Sequence, residues 1–563
     1  MSLTNSPLPR EVADAYVDDL VALDPVTGTY LGVPESSRTL PDLSPAGHDA
    51  RAELARTTLA RLAEAERRPG ADSDVERRCA RLLRERLTAG LAAHEAGWHL
   101  RAIGNMSTRA HAVRDVFTLT PTATDADWSA VAERLRAVPG ALRGHRETLA
   151  LGLERKVYGA PRPTAVFVEQ LTEWSDTDGS GRGWFADFAA AGPEPLRAEL
   201  AAAGAAADAA VVELRDWVRD VYAPAIADAP NTIGREMYAV GSRHYNGTDL
   251  DLDEAYAYGW EQFHALLGEM RAEAEKVLPG AATPWVALAH LDEHGRHIEG
   301  VEEVRVWLQG LMDQAIEALN GTHFELAERV RKVEAHIAPP GSAAAPFYTA
   351  PSGDFSRPGR TWLPTMGETR FPVYDLVSTW YHEGVPGHHL QLAQWVHIAD
   401  DLSRYQATVG QVSANAEGWA LYAERLMDEL GFLTDAEQRL GYLDAQMMRA
   451  IRVIIDIGMH LELEIPADSP FHPGERWTPE LAEEFFGAHT SRSGDFVASE
   501  LTRYLTIPGQ AIGYTLGQRA WLLGRANAKE RHGADFDLKA WHMAALSQGS
   551  LGLDDLVDEL SQL

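Results

Sequence analysis

The chain is predicted to be mainly α. Apolar residues recur at three- and four-residue spacing along most of its length, the period of a helix with one buried face. Proline and glycine cluster densely in one stretch only, and a composition of 45% apolar and 24% charged residues is that of a globular protein. At 563 residues the chain is well past the ~250–300 at which one hydrophobic core stops growing, so a large helical body or several lobes are expected.

The helical rhythm runs through Asp127 to Leu153, Pro195 to Arg219 and Asp253 to Val277, the last with Asp251 or Asp253 as its cap. It returns in Val301 to Leu319, Asp435 to Leu463, Ala511 to Lys529 and Leu538 to Leu546. The alanine-rich segment Ala198 to Ala210 reads as helix on propensity alone. No internal repeat of fixed period is visible. From Pro339 to Pro372 the pattern breaks, with Pro339-Pro340-Gly341 and Arg357-Pro358-Gly359 as punctuation. Two strand-like pieces, Pro346 to Ala350 and Arg360 to Pro364, predict a small β-sheet just before the next helix. The expected organisation is an N-terminal helical region, residues 1–340, and a C-terminal helical region, residues 341–563, forming one intertwined unit.

Charge and cysteine content exclude several functions. The net charge of −32, from 51 basic and 83 acidic residues, argues against sequence-independent binding of nucleic acid, which needs a basic face. One cysteine, Cys79, rules out an intramolecular disulfide and a thiolate metal cluster; its amphipathic helical setting predicts a buried structural thiol. No apolar run reaches the ~18 residues of a membrane span, and the first nine residues lack a basic patch followed by an apolar run. A cytoplasmic monomer or homodimer is expected, without nucleic-acid or membrane partners.

The chemistry gathers at Tyr381-His382-Glu383-Gly384-Val385-Pro386-Gly387-His388-His389-Leu390-Gln391. A helical H-E-x-x-H places two imidazoles one turn apart on a zinc ion, with the glutamate beside them as base. Here the second histidine comes two residues late. On a regular helix His388 lies about 600° round from His382, and His389 is nearly eclipsed but ~10.5 Å along the axis. A break is therefore required. Pro386, which removes a helix hydrogen bond, and Gly387, which tolerates unusual dihedrals, supply the means. Either His388 or His389 is then the second ligand. A catalytic zinc takes three protein ligands and keeps one position for water; Glu417, in Ala416-Glu417-Gly418-Trp419, is the third candidate. Glu424, seven residues on and on the same helix face, is placed to orient a ligand histidine. Glu383 is the candidate general base. Tyr514, flanked by Gly513 and Gly517, is the candidate electrophile, the glycines letting substrate and backbone approach the phenol closely, with Tyr504 in reserve. Arg452, Asp456 and His460 share a helix face as a supporting polar network, and Arg452 or Arg503 is suited to a substrate carboxylate.

Four blocks, HEGVPGHHLQ, EGWALYAE, RVIIDIGMH and RYLTIPGQAIGY, with Ser356-Arg357-Pro358-Gly359 upstream, resemble the bacterial domain of unknown function 885 family over most of the chain. That family is similar in turn to the helical zinc peptidases that include the oligopeptidases, thermostable carboxypeptidases and angiotensin-converting enzyme. The resemblance implies a two-lobed helical body with a deep channel, and a small sheet beside the zinc helix. It implies one zinc per chain on His382, His388 and Glu417, Glu383 as base, a later glutamate such as Glu424, and a transition-state tyrosine such as Tyr514. The expected activity is hydrolysis of short peptides. A metal-dependent hydrolase of a small amide or ester, and a metal-free peptide-binding protein on a peptidase scaffold, are the alternatives.

Overall fold

The computed structural model describes residues 7–177, 179, 181–338 and 345–563. It is predominantly helical, as the periodicity requires. The chain folds as two compact units. The first comprises residues 1–72, 86–241 and 499–508; the second comprises 73–85, 242–498 and 509–563. The division expected after residue 340 thus lies inside a stretch that belongs wholly to the second unit.

In the first unit the helix Asp125–Arg155 packs against Arg197–Trp217. Thr124 and Asp127 close a capping box at the start of the former, satisfying donors that a helix end leaves open. The core between them holds Phe117, Trp128, Leu135, Phe167 and Phe185. The alanine-rich stretch is a packed helix: Ala203, Gly204 and Ala207 are buried, and Gly204 sits against the backbone of Ala186.

The second unit is organised around a long helix, Ala436–Leu461, in which every residue from Leu440 to His460 is buried. Asp435 caps it by accepting from the amides of Glu437 and Gln438. The helix Leu252–Val277, capped by Asp251, lies along it with Gly259 against Val453 and Ile454. Among the described residues five short strands follow: β1 His297–Glu299, β2 Val333–Ile337, β3 Phe347–Thr349, β4 Gly359–Leu363 and β5 Arg370–Pro372. β1 and β5 pair antiparallel, and β2, β4 and β3 form a three-stranded sheet in that order, β2–β4 parallel and β4–β3 antiparallel. β3 and β4 are the two strands expected from sequence; the Pro339-Pro340-Gly341 break lies outside the described residues. β5 leads directly into the helix Val373–Glu383, so the sheets stand immediately before the motif. Cys79 is buried, its sulfur 3.3 Å from Ser403 Oγ.

Candidate metal centre

The motif is a helix–turn–helix rather than one helix. The upstream helix, Val373–Glu383, ends at Glu383, and the downstream helix, His388–His397, starts at His388. Gly384 leaves helical geometry at φ −98°, ψ −120°, and Gly387 does so at φ −74°, ψ −131°. A side chain on Gly387 would place its Cβ 1.9 Å from the carbonyl oxygen of His382, so the turn can fold back on the helix only if that residue is glycine. The expected break thus falls between Gly384 and Gly387.

The fold-back turns His388, not His389, toward His382. The two rings meet edge to face with centroids 4.8 Å apart. One ligand atom from each of His382, Glu383 and His388 lies within 4.8 Å of the others. His389, the alternative ligand, points elsewhere because both its ring nitrogens are engaged. Nε2 meets the Val330 carbonyl at 2.7 Å, and Nδ1 meets the Tyr348 hydroxyl of β3 at 3.0 Å. It is a buried structural histidine that ties the downstream helix to the sheet, and burial holds its pKa down at about 4.

Glu417 and Glu424 come from the carboxylate helix, Ser413–Glu429. Glu417 Oε2 lies 3.4 Å from His382 Nε2 and 3.4 Å from His388 Nε2. The same oxygen is buried and has no hydrogen-bond partner among the described residues. Two ligand atoms ~2.05 Å from one zinc at the tetrahedral angle stand roughly 3.3 Å apart, so the two contacts of Glu417 Oε2 have the spacing of ligands on a shared cation. Glu424, wholly buried, accepts from His382 Nδ1 at 2.8 Å, and also from Ser378 Oγ and from Gln446 Nε2 at 3.3 Å. Arg449 Nη2 stands 3.7 Å from Glu424.

Charge at this cluster is unbalanced. Glu383, Glu417 and Glu424 surround His382, and Arg449 offsets one of the three. Burial alone would lower His382, but its 3.4 Å contact with Glu417, its hydrogen bond to Glu424 and the charge of Glu383 outweigh that and push it up to about 9. Glu417 is held well below the usual carboxylate range: burial would raise it, and the two imidazoles prevail. In Glu383 burial prevails and the carboxyl is raised, the direction a general base needs. A divalent cation would supply the two positive charges that three carboxylates and one guanidinium leave wanting.

Tyr514 lies on the helix Gly513–His532 with its ring parallel to His382, centroids 6.4 Å apart. Its flanking glycines admit the close backbone approach expected of them, and that backbone belongs to the carboxylate helix. A Cβ on Gly517 would sit 2.1 Å from the carbonyl of Ala414, one on Gly418 would sit 2.3 Å from the Gly517 carbonyl carbon, and one on Gly513 would crowd Ala414 and Asn246. The tyrosine helix and the carboxylate helix therefore cross in backbone contact. Arg452 stands 4.8 Å from the Tyr514 ring centroid, a cation–π contact. Asp456 accepts from the Gly509 amide at 2.9 Å and stands 3.7 Å from His460 Nε2, so the polar face of the long helix holds the segment leading to Tyr514. Arg503 and Tyr504 belong to the first unit, where Arg503 Nη2 and the Tyr504 hydroxyl each reach Glu500 at 2.8 Å. Sequence reasoning missed Ser378, Gln446 and Arg449. Ser378 precedes His382 by one helical turn, the spacing that would have singled it out.

A mainly helical fold and a cluster of two histidines and three glutamates at a broken helix, His382, Glu383 and Glu424 buried and His388 and Glu417 half-buried, define a helical protein with a candidate metal centre. The chain belongs to the DUF885 family, described as bacterial protein of unknown function, whose model matches residues 25–560. Comparison with the curated proteins finds no match. Two solved structures share the fold, both described as a "putative lipoprotein". One, from Colwellia psychrerythraea, is 20% identical with TM-score 0.81 over 99% of both chains. The other, from Shewanella oneidensis and of unknown function, is 18% identical with TM-score 0.74 over 98% of this chain and 100% of its own. Among the described residues no helix is long and apolar enough to cross a membrane.

Proposed function

We propose that the chain is a zinc-dependent hydrolase of short peptides, with His382, His388 and Glu417 as ligands and Glu383 as general base. One observation carries the reading: a buried carboxylate oxygen of Glu417, with no hydrogen bond among the described residues, stands 3.4 Å from the Nε2 atoms of both His382 and His388. A zinc ion bound there would polarise a carbonyl and acidify water near neutral pH. Glu383, next to His382 and raised by burial, would take the proton from the attacking water and pass it to the leaving amine. Glu424 would hold His382 in the tautomer that leaves Nε2 free to ligate, by accepting from Nδ1. Tyr514, beside His382, is assigned to the oxyanion, and Arg452, beside Tyr514, to a substrate carboxylate.

Glu383→Gln tests the assignment. Wild type and variant are both expected to bind about one zinc per chain, and the variant to lose at least ~100-fold in kcat on a peptide library, within the range general bases contribute. Hydrolysis at the wild-type rate would refute Glu383 as the base.

A further inference from the structure

The residues from Gly384 to Gly387 are buried, so each polar backbone group of the turn needs a partner. The amides of Gly384 and Gly387 donate back to the upstream helix, to the carbonyls of Trp380 and Tyr381 at 2.9 and 3.0 Å. The indole Nε1 of Trp419 donates to the carbonyls of both Pro386 and Gly387, at 2.9 and 3.1 Å, and the Gly387 carbonyl also accepts from the Gln391 amide at 3.2 Å. Trp419 is fully buried and lies two positions after Glu417 on the carboxylate helix. Its ring is wedged against Trp521, with centroids 4.9 Å apart, and against Tyr422 at 5.4 Å. One rigid ring therefore joins the backbone that places His388 to the helix that carries Glu417. The turn needs such a restraint, because glycine at both ends leaves it a wide choice of dihedrals.

We propose that Trp419 is a positioning residue of the metal centre: its indole N–H, shared between two turn carbonyls, sets His388 at ligand distance from Glu417. The inference rests on the metal-centre reading above and adds to it the element that fixes ligand spacing. Ligand sites tolerate errors of about 0.5 Å, and removal of outer partners typically costs 10- to 100-fold in metal affinity.

The experiment compares the full-length wild type with Trp419→Phe and Trp395→Phe, using zinc alone as the probe against a chromophoric chelator. Trp395 is equally buried, on the downstream helix, and its Nε1 has no hydrogen-bond partner among the described residues, so its replacement controls for lost indole volume. Trp419→Phe is expected to bind zinc about 10- to 100-fold more weakly than wild type. Trp395→Phe is expected to stay within about threefold, and the cobalt-loaded visible spectrum to change in Trp419→Phe alone. Zinc affinity within twofold of wild type in Trp419→Phe, or equal weakening in both variants, would overturn the inference. Wild-type protein that takes up no zinc would overturn the metal-centre reading and this inference with it. Should Trp419→Phe not accumulate as folded protein, benzothienylalanine at position 419 carries the same outcomes, since it keeps the indole shape and replaces the N–H with sulfur.

Discussion

Replacing Glu424 with glutamine changes charge without changing shape, and its consequence follows from four contacts. Glu424 accepts from His382 Nδ1, Ser378 Oγ and Gln446 Nε2, and Arg449 lies 3.7 Å away. A bond to a charged acceptor contributes about 1.5–3 kcal/mol and a neutral one about 0.5–1.5, so the His382 contact weakens by roughly 1–1.5 kcal/mol. The new amide also faces the Gln446 amide donor, and one of the two must flip to avoid opposed N–H groups. Arg449 loses its ion-pair partner but keeps the charge of Glu383, so the cost stays below the about 3–5 kcal/mol of a buried ion left wholly unpaired. We therefore expect Glu424→Gln to lower stability by roughly 1–3 kcal/mol in urea titration. Zinc affinity should fall about 10- to 100-fold, or about 1.4–2.8 kcal/mol, by chelator competition at pH 7.5. Zinc affinity within twofold of wild type would refute the argument that Glu424 orients His382 for metal.

Other expectations follow from individual histidines. In the first unit His145 and His111 are buried, and burial holds both down at about 4 from an ordinary 6.5. Their folded pKa values are depressed, so the stability they contribute is present above pH 6.5 and is lost as pH falls toward 4. By pH 5 each costs roughly 2 kcal/mol relative to pH 7.5. His145→Gln should therefore lose less stability than wild type between pH 7.5 and 5 by about that amount in urea titration, and an unchanged difference would count against it. His388→Gln should abolish stoichiometric zinc binding. His389→Gln should keep zinc while lowering stability by about 1–3 kcal/mol, since it frees the Val330 carbonyl and the Tyr348 hydroxyl. The reverse pattern would exchange the two histidines' roles.

Much of the fold was legible because helical periodicity survives in long amphipathic segments; Val301–Leu319 and Leu538–Leu546 begin and end where the pattern does. The break in the motif was legible too, since Pro386 and Gly387 announce it. Which histidine the break turns inward was not. That depends on the dihedrals of Gly384 and Gly387 and on contacts that close only in three dimensions, with Val330 and Tyr348 claiming His389. The glycines around Tyr514 were legible as a place of close approach, but the helix crossing itself shows only once Gly418 stands opposite them. Gln446 and Arg449 escaped notice because a polar residue on a helix looks solvated until the neighbouring helix is in place; both are buried.

The most direct test of the metal centre is anomalous diffraction at the zinc edge from crystals of the zinc-loaded full chain. One peak per chain is predicted, bound by His382 Nε2, His388 Nε2 and a Glu417 carboxylate oxygen. No peak after zinc loading, or a peak bound by His389 in place of His388, would contradict the account.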